Sequence, residues 1–171
     1  AGETSEMADP LFLVGHRVTP TEADMEALVD QSTAVSATAF ADYLEAHAGR
    51  FLSLRQALEG DDGLVLTFDD GYLDMMSTVV PLLERHAVPC VLFATTGFCD
   101  GSVLQYERSL SRVVEERREI RFDGLLYPTA DVSQARRTYE HIRRLLKLRP
   151  PAARSEALAA LEADNGLDAG Y

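Results

Sequence analysis

Long hydrophobic runs, basic residues and cysteines are all scarce in this sequence, and each shortage excludes a class of protein. No apolar stretch approaches the ~20 residues that a membrane-spanning helix needs. Lysine and arginine number 16 against 28 aspartates and glutamates, a formal net charge of −12, which argues against a nucleic-acid or anionic-membrane surface. Cys90 and Cys99 are too few to make a zinc site alone, and one possible disulfide does not define an oxidising compartment.

What is present suits an ordinary globular chain. The length of 171 residues fits one domain, and a hydrophobic content of 46% is enough for a core. No signal peptide is visible, which slightly favours a cytoplasmic location; a processed secreted form would have lost one, so the compartment stays open. Residues 1–10 ("AGETSEMADP") are acidic and rich in small residues, and we expect them to form a flexible N-terminus.

Residues 11–101 alternate short apolar runs with amphipathic segments. The pattern predicts strands over 11–14, 64–68 and 91–94, and helices over 36–48 and from Ser77 or Thr78 to His86. Strands that are apolar throughout and separated by helices are typical of a parallel sheet with crossover connections. This part of the sequence therefore predicts β/α units of an α/β fold.

From residue 102 the sequence becomes mainly helical. Helices are predicted over 103–118, 133–148 and 153–163. Between the first two, "IRFDGLLY" predicts a small hairpin that turns at Asp123-Gly124, because Asp-Gly between apolar residues is the strongest short-range turn signal. We therefore expect residues 102–171 to form a helical insertion with a small hairpin.

Two adjacent carboxylates close the second predicted strand, in the stretch "LVLTFDDGY" (64–72). Residues at the carboxyl end of a parallel strand open onto the ligand crevice, and Gly71 lets the backbone turn sharply there. A divalent cation would relieve the repulsion between Asp69 and Asp70, with one carboxylate binding the ion and the other taking a proton from water. From the pattern alone, a solvated Asp-Asp-Gly turn is an equally open interpretation.

The same stretch resembles the first motif of the polysaccharide deacetylases, the NodB-homology domain of carbohydrate esterase family 4. "TFDDGY" matches the family's T-F-D-D-G, and "VVPLLERHAVPCVLFATTGF" looks like the helix and strand that follow it. "GHRV" and "VSATAFADYLEAH" resemble the start of the exopolysaccharide-associated branch, and "LLKLRPPAARSEALAALEADNG" resembles its helical insertion. The resemblance implies the N-terminal part of a distorted (β/α) barrel.

The resemblance also implies a role for individual residues. Asp69 would be the general base and Asp70 a ligand of a divalent metal, with zinc expected although the family tolerates other divalent ions. His16, after the first strand, would line the same pocket. Gly71 and Tyr72 fall at the strand end facing the crevice, where packing and turn chemistry are the alternative to substrate contact. The implied enzyme is a hydrolase of non-peptide carbon–nitrogen bonds that removes N-acetyl groups from an aminosugar-containing glycan.

One part of the family pattern is missing. The second motif, H-[ST]-x-x-x-H, would supply two imidazoles to the metal, but no two of the four histidines, His16, His47, His86 and His141, are three to five residues apart. The family's later arginine motif and late histidine are absent as well. Three or four strands cannot close a barrel. We therefore expect the chain to be the N-terminal portion of a deacetylase domain, completed by residues outside this sequence or by another chain.

Two other functions stay open. A degenerate domain that binds a glycan or a partner without catalysis would explain the missing histidines, although it would not need two repelling carboxylates. A magnesium-dependent phosphate-transfer enzyme also places aspartates at a strand end. Such sites usually space their carboxylates and need a lysine or glycine-rich phosphate cradle, which the sequence does not show.

Overall fold

The structure of the protein is a computed structural model that describes residues 9–101 and 105–167. The chain forms two compact units, which we call the strand unit (Ala1–Glu26 and Gln31–Thr95) and the helical unit (Ala27–Asp30 and Thr96–Tyr171). The expected flexible N-terminus lies mostly outside the described residues. Within them, no helix combines the length and the apolar character needed to cross a membrane.

Parallel strands build the strand unit, as the sequence predicts for an α/β fold. The strands are β1 (Leu11–Gly15), β2 (Arg17–Thr19), β3 (Ala34–Ser36), β4 (Leu64–Asp70) and β5 (Cys90–Ala94). One sheet has the order β1-β4-β5, all parallel, and β2 and β3 form a separate parallel pair. In this register Gly15 lies opposite Phe68 and Asp70 lies opposite Ala94. The central strand β4 therefore extends two residues beyond the end of β1 and ends level with β5.

Helices connect these strands. They are α1 (Glu22–Ala27), α2 (Ala37–Ala46), α3 (Leu54–Leu58) and α4 (Val80–His86), the last preceded by a π-helical turn over Met75–Val79. The predicted cap at Ser77 or Thr78 is wrong, because the helical segment begins before both residues and the Ser77 hydroxyl donates to the Leu73 carbonyl oxygen instead. Phe40 on α2 packs edge-on against Phe68 on β4, with ring centroids 5.8 Å apart. This contact lies in the core of the strand unit.

The helical unit contains α5 (Thr96–Cys99), α6 (Tyr106–Glu116), β6 (Glu119–Phe122), β7 (Leu125–Pro128), α7 (Val132–Lys147) and α8 (Pro151–Asp164). The predicted hairpin is confirmed: β6 and β7 pair antiparallel, and both turn residues have positive φ, 50° at Asp123 and 77° at Gly124. Two successive residues of positive φ are what a two-residue type I′ turn requires. Asp131 caps α7 by accepting a hydrogen bond from the Gln134 backbone N–H.

The core of the helical unit draws on the short segment Ala27–Asp30, which precedes the rest of the unit by more than sixty residues. Val29 is buried among the residues of α6, α7 and α8. The Tyr139 hydroxyl, fully buried, donates to the Asp30 carboxylate over 2.8 Å. Arg136 Nε donates to the carbonyl oxygen of Leu28. An apolar contact and two long-range hydrogen bonds thus anchor the segment in the helical unit.

Candidate functional site

Asp69 and Asp70 lie at the carboxyl end of β4, after five buried residues. The Gly71 backbone N–H donates to the Asp69 carbonyl oxygen over 2.9 Å, and Asp70 between them has φ of 71°. A bond to the residue two positions back around a centre of positive φ matches the rarer, strained form of γ-turn. Strained backbone of this kind costs free energy and concentrates at functional sites. Both carboxylates are therefore held on a tight turn at the strand end.

The structure brings His16 to this carboxylate pair. His16 Nε2 lies 4.0 Å from Asp69 Oδ2, and the two side chains are 34% and 39% exposed, so a small molecule can reach both. Directly after β5, the Thr95 hydroxyl donates to Asp70 Oδ1 over 3.4 Å. Each aspartate thus has a different polar neighbour, an imidazole for Asp69 and a hydroxyl for Asp70.

Gly15 explains how β1 brings His16 to this point. The Phe68 ring lies against Gly15, and a Cβ atom built on the glycine would come within 2.7 Å of Phe68 Cε1. Real side chains do not tolerate so close a contact. Glycine therefore allows the end of β1 to pack directly on the aromatic ring, with His16 following at once in sequence.

Gly71 and Tyr72 complete the turn. Gly71 has φ of 77°, whereas a Cβ atom there would make only an ordinary 3.5 Å contact with Ala94, so backbone conformation rather than space requires the glycine. Tyr72 is half-buried, and the Arg17 guanidinium carbon lies 5.2 Å from its ring centroid, within cation–π range. The Tyr72 ring therefore already contacts a cation, Arg17, within the strand unit.

Sequence reasoning missed Arg17 and Asp74. Asp74 Oδ2 accepts a hydrogen bond from the Val18 backbone N–H over 3.0 Å and lies 3.5 Å from Arg17 Nε. The Asp74 side chain is only 12% exposed. An aspartate in front of a helical segment normally indicates an N-cap. The sequence therefore gives no reason to expect a bond from this residue to another strand. In the structure Asp74 makes no capping hydrogen bond and bonds to β2 instead.

The other three histidines lie on helices or at helix ends. His47 stacks on Tyr43 with centroids 4.2 Å apart, its Nδ1 2.9 Å from the Tyr43 carbonyl oxygen. His86 ends α4, and His141 is an exposed residue of α7. Over residues 9–101 and 105–167, no three His, Cys, Asp or Glu side chains are placed to hold one metal ion. Asp70 is therefore at most one ligand of an incomplete set in this part of the chain.

Cys90 is half-buried at the start of β5. It lines a cavity of about 480 Å³ whose other walls are apolar side chains of the π-helical turn, α4 and β5, together with Glu84. Burial raises the pKa of the thiol to about 11. None of the predicted site residues lines this cavity.

One comparison with known proteins agrees with the motif. A family model described as polysaccharide deacetylase matches residues 58–148, just over half of the chain and a range that includes both carboxylates. Among solved structures, a de-N-acetylase from Aggregatibacter actinomycetemcomitans matches at 18% identity and a TM-score of 0.40. The match covers 77% of this chain and 50% of that one, so this chain spans about half the length of that protein. No curated protein matches the chain significantly.

Proposed function

Because the chain belongs to the polysaccharide deacetylase family, as "TFDDGY" predicted, we propose that it carries the catalytic carboxylates of a carbohydrate de-N-acetylase. The proposed substrate is an N-acetylated aminosugar within a glycan. The observation that supports this most is the cluster of His16, Asp69 and Asp70 at the carboxyl end of a central parallel strand, held by a strained turn. Ligand sites of open α/β sheets lie at this end of the strands.

In the proposed reaction Asp69 is the general base. Its partly exposed carboxylate takes a proton from the water that attacks the acetamide carbonyl carbon. The carbon–nitrogen bond then breaks, and the nitrogen leaves with a proton as a free amine while the acetyl group leaves as acetate. His16, 4.0 Å from Asp69, restricts the orientation of the base and lines the pocket with Gly71 and Tyr72.

We also propose that Asp70 binds a divalent metal ion, with zinc the first candidate. A half-buried carboxylate beside a second carboxylate suits a cation, whose charge would relieve their repulsion. A bound ion of this kind would supply Lewis acidity toward the carbonyl oxygen. Catalytic zinc sites usually have three protein ligands, and the described residues do not provide three, so the remaining ligands would come from elsewhere.

The strand unit also has surface for further structure. In the described part of the chain β1 and β5 each pair with β4 alone in their sheet. Their large apolar side chains are exposed, among them Phe12 (48%), Val14 (62%) and Phe93 (57%). Edge strands with exposed apolar side chains favour pairing with further strands and burial by other elements. We propose that residues outside this sequence, or another chain, supply the further strands and the missing histidine ligands of the domain.

A second function, binding of a glycan without catalysis, is favoured by one observation, the incomplete set of metal ligands. The two proposals differ in what they require of Asp69. A catalytic domain needs its carboxylate as a base, whereas a binding domain needs only a surface that fits the sugar.

The test compares Asp69→Asn and Asp70→Asn in the protein and in any longer polypeptide that carries it. Asparagine suits position 70 because it tolerates the left-handed backbone there. Acetate release from an N-acetylglucosamine oligosaccharide and bound zinc are both measured. We expect Asp69→Asn to keep its metal and lose about 10²–10⁴-fold in turnover, the usual contribution of a general base. Asp70→Asn should bind metal more weakly. Asp42→Asn, on the exposed face of α2, is the matched control.

Two results would contradict the proposal. Full turnover by Asp69→Asn in an active enzyme would show that this residue is not the base. Saturable oligosaccharide binding without acetate release, in every polypeptide tested and with metal supplied, would establish the binding function instead.

A further inference from the structure

Asp74 is a largely buried acid that the proposed chemistry does not use. It follows the "TFDDGY" turn by two residues, and only 12% of its side chain is exposed. A carboxylate is buried at a cost unless charges and hydrogen bonds compensate it. Its position directly before a π-helical turn is a second unusual feature, since such turns are rare and frequently lie at functional sites. Both features call for an explanation beyond helix capping.

The contacts of Asp74 join two chain segments. Oδ2 accepts a hydrogen bond from the Val18 backbone N–H over 3.0 Å and lies 3.5 Å from Arg17 Nε. His16 directly precedes these two residues, whereas Asp69 lies five residues before Asp74. The same carboxylate therefore links the backbone that carries the imidazole to the backbone that carries the proposed base.

Arg17 makes the link electrostatic as well. Its guanidinium lies between the Asp74 carboxylate and the Tyr72 ring, whose centroid is 5.2 Å from the guanidinium carbon. Arg17 Nε and Asp74 Oδ1 are both buried and make no hydrogen bond with other described residues. The two opposite charges thus offset each other's burial, and the loss of either one would leave the other uncompensated.

We propose that Asp74 is a positioning residue that, together with Arg17, sets the distance between His16 and Asp69. The proposal rests on the function proposed above. Asp74 does not touch the reacting atoms; it holds the start of β2 against the turn after β4. A displacement of about 1 Å between reacting groups can cost on the order of 10²-fold in rate. We therefore expect turnover to fall when this link is broken.

The first test is kinetic and uses Asp74→Asn and Asp74→Ala with the same oligosaccharide. Asparagine keeps an oxygen for the Val18 N–H but removes the charge beside Arg17, and alanine removes both. We expect kcat to fall roughly 10-fold in Asp74→Asn and about 10²-fold in Asp74→Ala, with KM changed less than about 3-fold. A purely structural role would lower the amount of folded enzyme and leave the kcat of the folded fraction unchanged.

Arg17 provides a second variant pair in case Asp74→Ala does not fold. Arg17→Lys keeps the charge, whereas Arg17→Met removes it. If the two residues act as one link, the double variant Arg17→Met with Asp74→Asn should lose no more kcat than the worse single variant. Fully additive losses, or unchanged kcat in all variants of an active enzyme, would overturn the proposal.

A third measurement does not depend on activity. The Val18 amide proton resonance in ¹⁵N-labelled protein reports directly on its bond to Asp74. Its protection from hydrogen exchange should persist in Asp74→Asn, fall sharply in Asp74→Ala and stay unchanged in the exposed control Asp42→Asn. Protection that is equal in all of them would refute the link even if the protein proves to have no deacetylase activity. Protection that falls in Asp74→Ala as expected, in a protein whose wild type releases no acetate, would refute only the proposed function.

Discussion

The two units of the molecule differ in charge and in how completely they bury their apolar residues. The strand unit contains 15 acidic and 4 basic residues, whereas the helical unit contains 13 acidic and 12 basic ones. Eight of the twelve largest fully buried side chains belong to the helical unit, among them Tyr139, Phe122 and Ile142. In the strand unit, β1 and β5 expose Leu11, Phe12, Val14, Leu92 and Phe93.

We interpret this difference as a division of roles, in which the helical unit contributes mainly to stability and the strand unit carries the proposed site. The helical unit encloses its own core and nearly balances its charge. The strand unit carries the excess negative charge, the strained residue Asp70 and the incompletely covered sheet. Active sites commonly keep strain and uncovered surface at a cost in stability. We therefore expect core substitutions to act mainly in the helical unit and site substitutions to act mainly in the strand unit.

The largest effect on stability is expected from Ile142→Ala. Ile142 is fully buried in the helical core, and truncation of such a residue typically costs about 2–5 kcal/mol. Val14→Ala in the strand unit should cost less than roughly 0.5 kcal/mol, because this side chain is 62% exposed. Urea denaturation followed by circular dichroism measures both. Equal losses in the two variants would break the comparison between the units.

A smaller effect is expected from Gly71→Ala, at about 1–2 kcal/mol, because alanine resists the φ of 77° that the turn imposes. Gly49→Ala is a matched control, since Gly49 has the same φ and an added Cβ would meet no atom within 4 Å. Both variants should lose similar stability in urea denaturation, but only Gly71→Ala should also lose turnover. Unchanged turnover in Gly71→Ala would show that the geometry of this turn does not matter for the site.

The smallest effect concerns Cys90. Folding raises its pKa from 9.0 to about 11, so the native state holds a proton that the unfolded chain releases more readily. The resulting stabilisation is present below pH 9 and is lost as the pH rises from 9 to 11. In a Cys99→Ser background, the melting temperature should fall more between pH 8 and pH 10 than it does when Cys90→Ala is added. Parallel pH profiles would argue against this burial effect.

The sequence predicted the features that depend on local chemistry. Strand β4 with its terminal carboxylates follows from a run of buried apolar residues, and the hairpin follows from Asp123-Gly124. Helix α7 follows from a long basic segment that stops before Pro150-Pro151, and both its ends lie within a residue of the predicted limits. The family followed from "TFDDGY".

What the sequence did not predict depends on contacts between distant residues. The pair β2 and β3 has three residues in each strand, too few for an alternating pattern to stand out. No residue pattern in the sequence predicts the π-helical turn before α4. The bond from Val18 to Asp74 joins residues 56 positions apart, so only the folded sheet brings them together. The roles of His16, Asp69 and Asp70 remain predictions until the variants are measured.

The segment Ala27–Asp30 has a practical consequence for anyone who wishes to divide this protein. Because it belongs to the helical unit while both flanking segments belong to the strand unit, the chain passes between the units three times. A single cut after Thr95 would therefore separate Val29 from the core in which it is buried, and Asp30 from the Tyr139 hydroxyl that donates to it. The N-terminal fragment would retain the whole strand unit, whereas the C-terminal fragment would lack part of the helical unit. An insertion or deletion that keeps the fold intact must therefore retain these four residues together with the C-terminal helices.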